Sequence, residues 1–418
     1  MKSLRPASII FGATALILFV LSLPHIVPVV EYGFDIHALQ LFNQNVYART
    51  VIAPDYFDYG FIRRGLGGTI GALLGTDPVG EWTGFLLFSA VFLAVPLAIL
   101  IARQACRAST LWAVYAAAVL LLSPQTLFSW SQDVGRTDIL AAAFVAWAVL
   151  ALLGNMRALA VLLMLAGLLA HEVALVFGGP LLTAMALHDI GQNRMSRRAG
   201  LIMIAGLLAL AVLTLGLQQL LAPPPQALAA QIMEEVYGAD IPREHQLWRD
   251  LAVYMAVGGR DAIETAMCLN FSVDQNYFYT AALCLLVLSC YFVILPLWDR
   301  PVLIALAALV PVVFMLIIAN DAGRWLSLSV LNCWLLAIFR SERGDDLLAG
   351  QPGRMLAGLL LLAGLIWMGT TSYNHANPFT RAFADLVGTP LEIGFDEWLD
   401  ICDPGWRTFL HGGDGSAS

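Results

Sequence analysis

The sequence predicts an all-α, polytopic membrane protein with about eleven transmembrane helices. Of its 418 residues, 59% are hydrophobic and only 12% are charged, whereas soluble domains carry about 25% charged residues. Several apolar runs also approach the ~20 residues that a bilayer-spanning helix needs. Clear examples are Ala7–Val29, Trp82–Ile101, Leu201–Leu221 and Tyr277–Leu297. Finally, the basic residues fall mainly into short loops on one side of the predicted bundle, a pattern typical of membrane proteins.

The eleven candidate spans follow one another along most of the chain. The first follows Lys2 and Arg5 but is too long for a signal-peptide core and lacks a small-residue cleavage pattern, so we interpret it as uncleaved. A single helix over 157–188 would be about 48 Å long, too long for a ~30 Å hydrocarbon core. We therefore expect a break at His171-Glu172. The spans are 8–29, 81–102, 109–123, 139–154, 157–170, 172–187, 199–221, 277–298, 302–319, 325–339 and 355–371.

The charge pattern predicts a cytoplasmic N-terminus. With that orientation, twelve of the 22 basic residues and five of the 30 acidic residues face the cytoplasm. The other side then holds ten basic and 25 acidic residues, so the two sides carry +7 and −15. A basic bias in short loops fixes orientation. We therefore expect a multi-pass protein of a bacterial inner membrane, with a bundle over 1–371 and an extracytoplasmic tail over 372–418.

Two long loops are expected on the extracytoplasmic side, at 30–80 and 222–276. The first contains amphipathic stretches, Ile36–Val46 and Leu66–Leu74, which suit short helices lying along the membrane interface. The second begins with three prolines and continues as an amphipathic segment. Cys268 and Cys402 both fall on this side, where an oxidising compartment would allow them to pair.

Ionisable residues gather in the outward-facing connections of this topology. Such residues near membrane depth are costly and tend to face a cavity or a partner. Arginine binds phosphate through paired hydrogen bonds, and a carboxylate serves as a general base or binds a divalent metal. Arg63-Arg64, followed by three glycines in four positions, is the best single anion-site candidate, because glycine permits close backbone approach to a ligand. The residues are Asp35, Asp58, Arg63, Arg64, Asp133, Arg136, Asp138, His171, Glu172, Asp321 and Arg324.

Each of these features also has a structural interpretation. Asp133 with Arg136, and Asp321 with Arg324, suit tight turns in which the aspartate caps a helix and pairs with the arginine. Asp35 suits the cap of a following interfacial helix. Arg63-Arg64 suits an anchor to lipid headgroups. Five separate connections would all need such an explanation, which favours a shared polar site.

The layout resembles the GT-C superfamily of integral membrane glycosyltransferases, which use polyprenyl-phosphate-linked sugars. Asp35 in Glu31-Tyr32-Gly33-Phe34-Asp35 matches the acid of the first outward loop, and Asp138 in Gly135-Arg136-Thr137-Asp138 matches the second. The segment Leu168–Leu175, with His171-Glu172 at its centre, is similar to a Lys/His-Glu segment of that superfamily. The resemblance covers about the first 190 residues. The usual second acid beside Asp35 is absent, which leaves open both the base and any requirement for a divalent metal.

The resemblance implies transfer of a sugar from a lipid-phosphate donor to a glycan, lipid or protein acceptor during assembly of the cell envelope. Asp35 or Asp58 would be the catalytic base, and Arg63, Arg64, Arg136 and Arg324 would hold the phosphate. The remaining polar residues, Asp133, Asp138, His171, Glu172 and Asp321, would orient the acceptor or an ion. No nucleic-acid partner is expected.

Two other functional classes remain open. A polymerase or ligase of the O-antigen type also uses outward-facing arginines and lipid-linked substrates, but favours one large loop that carries them. A secondary transporter would use His171, Glu172 and Asp321 as a proton relay, with such residues near the membrane midplane. The predicted topology leaves the cytoplasmic half of the bundle without polar groups, which counts against a transport path.

Overall fold

The described part of the chain consists of helices joined by turns. A computed structural model describes residues 4–32, 53–62, 64–107, 137–221, 225–237, 301–318 and 322–344, in which helices and turns occur and no strand. The helices are α1 (Leu4–Tyr32), α2 (Gly65–Leu74), α3 (Pro78–Arg107), α4 (Asp138–Leu153), α5 (Arg157–Ala170), α6 (Gly179–Gly191), α7 (Arg197–Leu221), α8 (Pro225–Tyr237), α9 (Pro301–Ile304), α10 (Val310–Ile318) and α11 (Ala322–Glu342). A first π turn (Ala174–Gly178) precedes α6, and a second (Ala305–Leu309) joins α9 to α10.

The positions of the helices agree with most of the predicted spans. Eight of the eleven predicted segments coincide with described helices, while 109–123, 277–298 and 355–371 lie outside the described residues. Three described helical segments are long and apolar enough to cross a membrane by length and composition. They are Pro78–Gln104, Ala174–Gly191 and Arg197–Gln218. The described part of the chain is thus all-helical, with three segments that could cross a membrane, and the total of eleven stays a prediction.

Helix α4 forms the centre of the bundle. Thirteen of its sixteen residues are buried, and its alanine-rich sequence lets neighbouring helices approach on every side. Small residues continue this packing in the adjacent segments, as is common in membrane bundles. A Cβ on Gly167 of α5 would lie 2.9 Å from Cβ of Ala174, and one on Gly178 would lie 2.6 Å from Val145 of α4. Any larger residue at these two positions would push the segments apart.

A proline inside α3 is matched by a tryptophan on α4. Pro96 has no N–H, so the carbonyl four residues earlier, at Phe92, loses its helical partner. The indole Nε1 of Trp147 donates to that Phe92 carbonyl over 3.0 Å. The Phe92 carbonyl of α3 therefore finds its hydrogen-bond donor on α4. This bond also fixes how α3 and α4 face each other.

The predicted break at His171-Glu172 is confirmed. Helix α5 ends at Ala170, and His171 takes an extended backbone conformation with φ −165° and ψ 132°. Helical structure resumes at Ala174 as the first π turn and continues into α6. The break turns the chain back through the bundle, so α5 and α6 run in opposite directions and His171 and Glu172 lie at one end.

A second, smaller apolar cluster covers the same end of the bundle. It joins Val29 of α1, the start of α3, and Leu228 and Ile232 of α8 to the turn at 53–62. The predicted helices at Leu66–Leu74 and in the segment after the three prolines are both present, as α2 and α8. The stretch Ile36–Val46 and the cysteines Cys268 and Cys402 lie outside the described residues.

Candidate functional site

The turn before α2 is built around Asp55. Its carboxylate Oδ1 accepts the backbone N–H of Phe57 over 2.6 Å and that of Asp58 over 2.9 Å. The hydroxyl of Tyr59 donates to the carboxylate of Glu235 on α8. These bonds fix the turn from within and tie it to the amphipathic helix above it.

Arg64 ends this turn in a left-handed backbone conformation, with φ 61° and ψ 14°, and α2 begins at the next residue. This conformation is uncommon outside glycine, asparagine and aspartate, and here it directs the side chain toward the α5–α6 break. The Nε of Arg64 donates to Oε2 of Glu172 over 2.8 Å, and Nη2 donates to Oε1. The pair is bidentate, with side-chain exposures of 15% and 20%.

His171 lies between two carboxylates. Its Nδ1 accepts the backbone N–H of Val173 over 3.0 Å, so the neutral ring carries its proton on Nε2. That Nε2 lies 3.2 Å from Oδ1 of Asp138, the first residue of α4. Its Nδ1 lies 3.6 Å from Oε2 of Glu172. Asp138 and His171 are almost fully buried, so the ring and both carboxylates form one compact group.

Tyr56 forms one wall of this group. Its hydroxyl donates to the carbonyl of Leu169 at the end of α5 over 3.3 Å, and its backbone N–H donates to Oγ1 of Thr69 over 3.0 Å. Burial raises the pKa of Tyr56 to about 12. The hydroxyl therefore stays protonated at neutral pH and acts as a hydrogen-bond donor.

The glycines after Arg64 serve helix packing. A Cβ on Gly65 would lie 2.4 Å from Cε1 of Tyr56, and one on Gly67 would lie 2.7 Å from Cγ2 of Thr137. From the sequence, the three glycines after Arg64 are expected to let a ligand approach the backbone. In the structure, that space at Gly65 and Gly67 is filled by neighbouring side chains.

Four of the predicted site residues converge from three separate segments: Arg64, Asp138, His171 and Glu172. Asp58 does not join them, because it lies exposed in the turn and its carboxylate makes no ion pair within the described residues. Arg324 lies in the first turn of α11. The other candidates lie outside the described residues: Asp35, Arg63, Asp133, Arg136 and Asp321.

A second ionic network lies at the opposite end of the bundle, and the sequence analysis missed it. Arg103 of α3 donates to Glu342 of α11 through Nε over 3.1 Å and Nη2 over 2.8 Å, and the amide of Gln104 donates to the same carboxylate over 3.0 Å. Arg343 donates through Nη2 to Asp189 over 2.9 Å and to the carbonyl of Leu152 over 3.3 Å.

The expectation that this half of the bundle lacks polar groups was therefore wrong. Leu152 and Asp138 stand at opposite ends of α4, about 21 Å apart along the helix, so the two ionic groups mark the two ends of the bundle. One feature of the sequence could have indicated this network. Asp189 and Glu342 are acids in predominantly basic short loops of the predicted cytoplasmic side. A buried carboxylate in such a loop needs an arginine partner.

No protein-family model matches this chain, and no curated protein matches its sequence. The site must therefore be interpreted from its own chemistry. Within the described residues, no group of three or more histidine, cysteine or carboxylate side chains is placed to hold a metal ion. What the described site offers is a guanidinium held in a fixed plane, two carboxylates and a histidine of defined tautomer. Such a group suits recognition of a phosphate together with proton transfer.

Proposed function

We propose that this protein is a membrane glycosyltransferase that moves a sugar from a polyprenyl-phosphate donor to an acceptor at the extracytoplasmic face. The convergence of Arg64, Asp138, His171 and Glu172 carries the proposal. These residues come from three separate segments, and a merely structural role for each would not require them to meet. The resemblance to the GT-C superfamily, with Asp138 and His171-Glu172 at two of its motifs, supports the same activity.

In this proposal, Arg64 binds the donor phosphate. A guanidinium offers five N–H donors, and the Glu172 pair uses its Nε and Nη2 edge. Glu172 therefore acts as a positioning residue that fixes the plane of Arg64. Positive charge held in this plane stabilises the polyprenyl phosphate as it departs with the electron pair of the broken anomeric C–O bond.

The acceptor hydroxyl attacks the anomeric carbon and passes its proton to a carboxylate. One displacement of this kind inverts the configuration of the sugar. Asp58 is a poor candidate for the base, since it lies exposed in the turn and takes no part in the described ion pairs of the cluster. We assign the base to Asp35, which the resemblance favours, or to Asp138, whose carboxylate faces Nε2 of His171.

Donor consumption in proteoliposomes tests the proposal. The purified full-length protein is supplied with a panel of polyprenyl-phosphate monosaccharides and a cell-envelope acceptor fraction, and released polyprenyl phosphate is measured. We expect Arg64→Lys to lower the turnover about 100-fold, the usual effect of losing one group that stabilises developing charge. Glu172→Gln, which only loosens the plane of Arg64, should lower it less. Asp58→Asn is the matched control and should retain nearly full activity. Absence of release by the wild-type protein across the panel would overturn the proposal.

Comparison of Asp35→Asn with Asp138→Asn identifies the base. Removal of the base should lower the maximal rate about 100- to 10,000-fold at saturating donor, whereas removal of an orienting carboxylate should have a smaller effect. If neither substitution lowers the rate by more than tenfold, the proton is accepted elsewhere and both assignments are wrong.

A second candidate function, a proton-coupled transporter, is favoured by one observation. Buried ionisable groups occur at both ends of the bundle, with His171 and Asp138 at one and Asp189 and Glu342 at the other. A transport path needs groups that exchange protons on both sides of an apolar middle. Cysteines placed at 135, 171 and 322 discriminate between the functions. Labelling from the extracytoplasmic side alone favours sugar transfer, while labelling from both sides favours transport.

A further inference from the structure

A single asparagine crosslinks the two π turns in the apolar middle of the bundle. Asn332 of α11 is 2% exposed and lies between Leu331 and Cys333 on the helix. Its Nδ2 donates to the carbonyl of Phe177 in the first π turn over 2.9 Å. The same Nδ2 donates to the carbonyl of Ala307 in the second π turn over 2.8 Å. The amide thus donates one hydrogen bond to each of two different segments.

Asparagine is suited to this contact. In an apolar interior, hydrogen bonds are costly to lose. Asparagine is short enough to sit between packed helices and carries two donors on one nitrogen. One side chain therefore donates to a carbonyl in each turn.

The first π turn is directly continuous with the polar cluster. It begins two residues after Glu172, and the backbone N–H of Ala174 donates to the carbonyl of His171 over 3.0 Å. The N–H of Val173, immediately before the turn, holds Nδ1 of His171. A displacement of the turn would therefore move the donor that fixes the histidine ring. It would also move the carboxylate that fixes Arg64.

We propose that Asn332 is a positioning residue: by fixing the carbonyl of Phe177, it sets the first π turn and thereby the placement of His171 and Glu172 against Asp138 and Arg64. The catalytic part of this inference rests on the proposed sugar transfer, while the positioning itself does not. Asn332 is far in sequence from Arg64, Asp138 and His171, and its described hydrogen bonds go to the two π turns. Its effect passes entirely through the backbone between Val173 and Phe177.

The chain offers a matched control one turn earlier on the same helix. Ser329 is also fully buried, and its Oγ donates to the carbonyl of Ala308 over 3.2 Å. Its described hydrogen bond therefore goes to the second π turn. Ser329→Ala removes a comparable hydrogen bond in the same core without touching the segment that follows Glu172.

Backbone amide exchange, measured by mass spectrometry on the full-length protein in nanodiscs, tests the positioning directly. Asn332→Leu removes both donors, and we expect exchange in peptides covering 171–178 to rise about tenfold. Asn332→Asp, which keeps the shape but offers at most one donor, should give an intermediate rise. Asn332→Gln keeps both donors, and a small apolar cavity lined by Val145, Leu328 and Asn332 itself has room for its extra methylene. It should restore most of the protection.

The same variants are then compared in the donor-consumption assay. We expect Asn332→Asp to lower the maximal rate about tenfold with little change in the KM for the donor, because alignment is lost while donor contacts remain. Ser329→Ala should change neither constant.

The outcomes separate this inference from the proposed function. Unchanged exchange at 171–178 in Asn332→Leu, or an equal rise in Ser329→Ala, overturns the positioning role. If the wild-type protein consumes no donor but exchange rises as expected, the sugar-transfer proposal fails and the positioning role stands. If exchange rises but the maximal rate of Asn332→Asp equals that of Ser329→Ala, the catalytic part of the inference is wrong.

Discussion

Substitutions of Arg64 and Glu172 should have strongly non-additive effects on the free energy of unfolding, because the two side chains form a bidentate pair. Removing one partner of a fully buried ion pair costs about 3–5 kcal/mol, because the remaining charge is left uncompensated. Exposed pairs contribute at most about 1 kcal/mol. With side-chain exposures of 15% and 20%, this pair lies between the two limits. We therefore expect each single substitution to cost about 2 kcal/mol of the free energy of unfolding.

A double-mutant cycle measures the coupling. Arg64→Met and Glu172→Met replace each charged group by an unbranched apolar one of similar length, singly and together. Once both charges are gone, no uncompensated group remains, so the double variant should cost about as much as either single variant. The coupling energy should then be about 2 kcal/mol, within the range found for contacting residues. Reversible unfolding in mixed micelles gives the free energies, and thermal midpoints in detergent provide a second readout.

Asp58→Asn is the control for this cycle. The residue belongs to the same turn, but its carboxylate is exposed, so its substitution should change the free energy of unfolding by less than about 0.5 kcal/mol. If the two methionine variants prove additive within about 0.5 kcal/mol, Arg64 and Glu172 do not interact as the geometry indicates. The assignment of Glu172 as the residue that fixes Arg64 would then be wrong.

Three further predictions follow from single contacts. Gly67→Ala should lower the free energy of unfolding by about 1–3 kcal/mol, because its Cβ would meet a neighbour at 2.7 Å, whereas Gly216→Ala, with open space around it, should be neutral in the same thermal assay. Stability should fall as the pH rises from 10 to about 12, since Tyr56 keeps its proton in the folded state over this range and loses it in the unfolded state. Tyr56→Phe should remove that part of the pH dependence measured by thermal unfolding. Arg343→Ala should destabilise the protein by about 3–5 kcal/mol by leaving Asp189 buried without this partner, and Asp189→Asn in the same background should recover part of the loss.

The positions of the helices could be predicted because they depend on local properties of the chain. Apolar length sets where a span begins and ends, and the break at His171-Glu172 followed from the excess length of 157–188. The concentration of charge at the helix ends was predictable because charged residues interrupt the apolar runs that form the spans. Glu172 and Asp138 were recognised as site candidates because ionisable groups near membrane depth tend to face a cavity or a partner.

The partners themselves could not be predicted. Arg64 and Glu172 are 108 residues apart, and Arg103 and Glu342 are 239 apart. Which of several charges meet depends on the rotation of each helix about its axis. A helix such as α4, apolar on all sides, gives no amphipathic stripe from which that rotation can be deduced. The π turn beside Asn332 was also beyond prediction, because it is a local response to tertiary packing.

Because α4 has no amphipathic stripe, polar contacts determine how it is rotated in the bundle. Between helices in a membrane, the hydrophobic effect provides little association energy, since lipid tails are as apolar as leucine. For α4, which is buried all round, many rotations would bury nearly equal apolar area. The contacts that distinguish them are few and polar. Asp138 contacts His171 at one end, the Leu152 carbonyl accepts from Arg343 at the other, and Trp147 donates to the Phe92 carbonyl between them. Between the two ends, Asn332 ties α11 to both π turns. These contacts therefore set the rotation of the helices in the bundle. A substitution at any of them should shift the side chains at the other end of the bundle before it unfolds the protein.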